Sequence, residues 1–144
     1  RRRVGDAPAK EMPYCVLGSL AKALRHVGNP DAAARVEADF EASLTQKDRI
    51  AYAAGRDGQW GLEARKVKGG ANALECRSEH PTLLHVSRTH AVAVCNGLLF
   101  DHNEAQPLPL TRANLDRCIG APYVDQRNRA YEFHPKPSKK RKAM

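Results

Sequence analysis

From Cys15 to about His26 the apolar residues Leu17, Leu20, Ala21 and Leu24 fall at i, i+3, i+4 and i+7, one buried face of a helix. Pro13 suits the start of that helix and Gly28 its stop. Asn29-Pro30-Asp31 then offers a cap, a proline at the first helical position and an acid in the first turn. A second helix is expected there, with Val36, Phe40 and Leu44 as its inner stripe. Thr45 is the expected cap of a third, shorter helix ending near Gly55. Past the turn around Gly58 the texture changes to short β-branched or aromatic runs bounded by turn residues: "ARKV", "TLLHV", "HAVAV", "LLFDHN" and "RAYEFH". "LPLTRANLDRCIG" interrupts them with one more short helix, capped by Thr111 and stopped by Gly120. Helices first and an antiparallel sheet afterwards define an α+β class. There is no internal repeat.

"RTHAVAVCNGLLFDHNE" (88–104) carries the sharpest local signal. Asn96-Gly97 marks a two-residue hairpin turn of the primed type, which pairs Cys95 with Leu98 and Val94 with Leu99. Extended to its end, that register sets Asn103 directly opposite His90, and Asp101 one diagonal step away on the same face. Either residue is placed to fix the imidazole tautomer. The register favours Asn103 slightly, and a slip or bulge would favour Asp101.

A histidine so held needs a nucleophile, and Cys15 is the candidate. It is expected at the start of the first helix, where free N–H groups and the dipole stabilise a thiolate. A Cys on a helix start, a His opening a strand and an Asn or Asp on the next strand is the order of a thiol-hydrolase triad.

Composition changes the picture little. The 144 residues fit one domain, 42% hydrophobic and 28% charged, with no apolar run approaching the ~20 residues of a membrane helix and no secretory signal. Four cysteines at 15, 76, 95 and 118 are widely spaced, which suits reduced thiols in an intracellular, nuclear or cytoplasmic protein. The net charge of +8 gathers at the ends: Arg1 to Arg3 with Lys136, Lys139, Lys140, Arg141 and Lys142 supply eight of the 24 basic residues. The expected organisation is a basic segment (1–13), one domain (14–134) and a basic flexible tail (135–144), whose charge could contact nucleic acid or serve nuclear import. The opening RRRVGDAPAK, without an initiator Met, suits a domain embedded in a longer chain.

The order Cys15, His90, Asp101/Asn103 resembles the papain-like cysteine peptidase superfamily, and "HAVAV..GLLFDHNE" is similar to its histidine hairpin, including the ubiquitin-directed Josephin type and the bacterial-effector type. The resemblance spans roughly Tyr14 to His134. Against the Josephin pattern the orienting residue maps to Asn103. Against the effector pattern, Phe-Asp-x-Asn, it maps to Asp101. The resemblance implies a papain-like fold and a peptidase or isopeptidase acting on a peptide or a ubiquitin-like protein, with no cofactor. One departure stands out. The stretch "GDAPAKEMPY" ahead of the cysteine has no Gln or Asn donor for the oxyanion, which leaves the Cys15 backbone N–H and another donor. The alternative is a catalytically inactive binding domain on the same scaffold, in a nucleoprotein assembly.

The remaining residues read as structural. Cys76, Cys95 and Cys118 are expected as small buried side chains, and Trp60 as core. His85 and His102 are expected as structural or surface groups. Cys76, His80 and His85 match no standard zinc spacing, so no metal site is expected.

Overall fold

The computed structural model describes residues 7–39, 53, 59–87 and 90–136. Its first helix, α1 (Ala7–His26), begins well ahead of the expected start and runs through Pro13. Cys15 is therefore an interior residue of α1, eight positions after its first. α1 ends as expected: Gly28 takes φ 80°, a conformation cheap only for glycine, and Asn29 N–H returns to Leu24 O at 3.0 Å. Asn29 then caps α2 (Pro30–Ala38), its Oδ1 accepting from Ala32 N. Phe40, Leu44 and the third helix proposed for 45–55 lie outside the described residues, apart from Ala53, which is helical and buried.

The sheet follows: β1 (Leu62–Lys66), β2 (Ala71–Asn72), β3 (Thr82–Ser87), β4 (His90–Cys95), β5 (Leu98–Phe100), β6 (Leu108–Pro109) and β7 (Arg127–Pro135). Between β6 and β7 stand α3 (Arg112–Ile119) and α4 (Ala121–Val124). Thr111 Oγ1 caps α3 and Gly120 stops it at φ 95°, both as expected. The strand order is β1-β7-β3-β4-β5-β6, antiparallel throughout, with β2 on β7. Helices followed by an antiparallel sheet is thus the architecture.

Period-two alternation divides the strands between the two faces of the sheet, with a small third cluster of Ala23, Ala93, Cys95 and Phe100 beside α1. Ala91 and Leu83 join Leu17, Leu20, Leu24, Val36 and Trp60 in the core beneath α1 and α2, with Phe133 and Leu62. Val92, Val94, Leu84, Leu99 and Ala130 pack on the other face with Leu115, Ile119 and Val124 of α3 and α4. Trp60 is a core residue as expected, and its Nε1 donates to Asp39 Oδ2 at 2.7 Å. With helices on both faces, β4 is buried along its length from Ala91 onward.

The β4–β5 hairpin has the expected register: Cys95↔Leu98, Val94↔Leu99 and Ala93↔Phe100. Asn96 (φ 55°) and Gly97 (φ 76°) both take the left-handed conformation a primed turn demands. The expected strand to Asn103 is shorter, because pairing stops at Phe100. Asp101 closes a turn there: its carbonyl accepts from Glu104 N at 2.9 Å, and its Oδ1 from Asn103 N at 3.4 Å. An Asp bonding the backbone two residues on is a strand terminator. Among the described residues no helix is long and apolar enough to cross a membrane.

Candidate functional site

His90 opens β4 and interacts with Asp101 and Cys15. Its Nε2 lies 3.5 Å from Asp101 Oδ1, and its ring also contacts the thiol of Cys15. Cys15, His90 and Asp101 thus come together from α1, β4 and the turn after β5. Asn103 does not join them: its side chain is exposed, and only its backbone N–H reaches Asp101. The reason is local. Period-two alternation holds only inside a strand, and β5 ends before either residue.

The electrostatics follow from burial and contact. Burial alone would lower His90; Asp101 and then Cys15 outweigh it and lift the imidazole to about 9, so it is cationic at neutral pH. Burial alone would raise Asp101, but His102, His90 and the Asn103 N–H together hold its carboxyl far below the usual carboxylate range. The pair is an imidazolium beside a carboxylate that is only 4% exposed.

Two expectations for Cys15 fail. It is not at a helix N-terminus, so the free N–H groups and dipole of that position do not act on it. Inside a continuous helix its own N–H belongs to the i→i−4 ladder, so it is no oxyanion donor either. The thiol is also buried: Cys15 is 1% exposed and packs in the α1/α2 core. His90, 19% exposed in its side chain, forms the open side of the group.

Three further residues complete the surroundings. Lys22, two turns after Cys15 on α1, donates from Nζ to the carbonyls of Asp101 (3.1 Å), His102 (3.1 Å) and Glu104 (2.7 Å). Burial lowers the Lys22 ammonium, with Asp101 and Glu104 pulling it back up. Cys118 of α3 also adjoins Asp101; burial first, and then that carboxylate, push its thiol up to about 12. His102, expected to be a surface or structural group, has Nδ1 3.5 Å from Asp101 Oδ1 and its ring centroid 5.9 Å from that of His90. A lysine seven residues after a candidate nucleophile, on the same side of a helix, was the readable signal for Lys22. The Asp101-His102 dipeptide was the signal for His102.

The other histidines and cysteines are elsewhere. His80 stacks on His134 with ring centroids 3.8 Å apart, and His85 lies in β3. Cys95 Sγ donates to Glu79 O, and burial above all raises its thiol to about 11. The cysteines at 15, 76, 95 and 118 are all free thiols. Among the described residues, the group with metal-ligating atoms within 4.8 Å of one another is His90, Asp101 and His102, not Cys76, His80 and His85. Comparison with protein-family models, with curated proteins and with solved structures finds no match.

Proposed function

We propose that the chain is a thiol hydrolase of the papain-like type, cleaving a peptide or isopeptide bond. One observation carries this reading: a single imidazole, His90, contacts both a cysteine and a buried carboxylate. Nε2 is directed at Asp101, and the same ring contacts Cys15. The imidazolium would stabilise a Cys15 thiolate, and Asp101 would fix the ring and its charge. Attack on the acyl carbon forms a thioester, and His90 hands its proton to the departing amine. It then takes a proton from the water that hydrolyses the thioester, which frees Cys15. Substrate would approach from the His90 side and displace what covers the thiol. Peptides and ubiquitin-like C-termini are the substrate classes that the resemblance implies.

The burial of Cys15 and its place inside α1 favour a second reading, an inactive binding domain on the same scaffold. A small electrophilic probe separates the two. In a hydrolase, labelling concentrates on Cys15 and falls at least tenfold in His90→Ala, while peptide or ubiquitin-conjugate cleavage disappears in Cys15→Ala. Equal labelling of Cys15, Cys95 and Cys118, with no cleavage of either substrate class, would leave the binding domain.

A further inference from the structure

We propose that His90, Asp101 and His102 form a binding site for a four-coordinate divalent transition-metal ion of the zinc class. The site is independent of whether Cys15 is a nucleophile.

Distance is the first argument. His90 Nε2 and His102 Nδ1 each stand 3.5 Å from Asp101 Oδ1, and all three ligand atoms lie within 4.8 Å of one another. A charge-assisted hydrogen bond between such groups would be ~2.7–2.9 Å. With bonds of ~2.0–2.1 Å to zinc, the edge of a coordination tetrahedron is about 3.4 Å. An octahedral edge at ~2.1 Å bonds, as for magnesium, would be about 3.0 Å. The two spacings from Asp101 are close to a tetrahedral edge.

The second argument is an unmet demand. Both ring nitrogens of His102 are buried; Nδ1 has only the long 3.5 Å contact to Asp101 Oδ1, and Nε2 makes no hydrogen bond. Native structures rarely leave a buried polar atom without a partner unless something else satisfies it. A metal between Nδ1 and Asp101 would replace that long contact with two short bonds. The donor set agrees, since two imidazoles and one carboxylate suit zinc and its neighbours better than calcium or magnesium.

The surroundings are built to hold the ligands still. Asp101 is fixed by the Asn103 N–H, and the carbonyls of its turn are gathered by Lys22. Such outer contacts orient ligands and sharpen metal affinity. The fourth position is left for water or a thiolate. An ion here would occupy His90 Nε2 and Asp101, so on the hydrolase reading it would hold the triad in an off state.

Cobalt(II) is the probe, because its visible spectrum reports coordination number. Chelator-treated full chain is titrated with Co2+ and then Zn2+, with circular dichroism confirming the fold of each variant. One Co2+ per chain is expected, with the intense visible bands of four-coordination, displaced by Zn2+. His102→Ala and the better-tolerated His102→Gln should each weaken binding by more than the ~10–100-fold that loss of an outer contact costs. His80→Ala, which removes the other close histidine pair, should bind normally. Saturable binding that survives both His102 variants, or is lost in His80→Ala, or is absent from the parent, would overturn the proposal. A protein whose Cys15 ignores the electrophilic probe yet binds Co2+ in this pattern would refute the hydrolase and keep the metal site.

Discussion

At the scale of single residues, the choice between Asp101 and Asn103 is made by where a strand stops. Asp101 is buried against His90, whereas the Asn103 side chain is exposed. Asp101→Ala should cut probe labelling of Cys15 at least tenfold, and Asn103→Ala less than threefold, by mass spectrometry at matched times. The reverse order would return the orienting role to Asn103. The same pair sets a pH dependence. His90 is raised in the folded protein from an ordinary 6.5 to about 9, so its stabilising contribution is complete below pH 6.5 and is lost as pH climbs through 9. Asp101 is depressed, so its share is present above its ordinary 3.8 and fades as pH falls further. The His90–Asp101 contact is common to both shifts, with Cys15 adding to the first and His102 and the Asn103 N–H to the second. The whole His90 shift corresponds to roughly 3 kcal/mol at ~1.4 kcal/mol per tenfold. In chelator, the gap in melting temperature between parent and Asp101→Asn should be widest near pH 5–6 and should close towards pH 9.5. A gap constant across that range would mean that the pair does not couple to folding.

At the scale of elements, the site depends on α1 and the turn after β5 keeping their distance, and Lys22 spans them. Lys22→Met keeps the aliphatic stem but removes the ammonium from three carbonyls, of which Asp101 O still accepts from Glu104 N. It should cost about 1–3 kcal/mol in denaturant unfolding and lower Cys15 labelling, while Lys22→Arg should restore part of both. If Lys22→Met were as stable and as reactive as the parent, the turn would be held by other means. Much of this level could be read from the chain. Asn29, Thr111 and Gly120 mark helix ends through their own backbone chemistry, and Asn96-Gly97 fixes its hairpin. What escaped was set where a local signal was overridden or a strand stopped early. Pro13 looks like a helix start, yet α1 passes through it. Asp101 reads as one more strand residue until its side chain turns back to the Asn103 N–H. His102 then leaves the alternation that would have pointed it elsewhere. The short strands β2 and β6 carry too few residues to show a period.

At the scale of the whole molecule, the feature that no local pattern announces is the position of β7. The last strand in sequence lies between β1 and β3, pairing Ala64 with Phe133 on one side and Leu84 with Ala130 on the other. A proline there removes a ladder N–H and strains its neighbours, at ~3 kcal/mol or more. Ala130→Pro should therefore abolish cooperative thermal unfolding. The same change at Pro109's neighbour on an edge strand, Leu108→Pro, should leave a folded protein with a lower melting temperature. Similar behaviour of the two variants would mean that β7 is not the keystone of the sheet.

That position has a consequence in time. A ribosome adds ~5–20 residues per second, and Cys15, His90 and Asp101 all emerge before β7 does. Until Arg127 to Pro135 appears, β1 and β3 each present an open edge with nothing to join them, so the nascent chain carries every reactive group without the frame that aligns them. Competence of the site would then switch on late, at a single step of synthesis, when one strand slots between two that are already waiting.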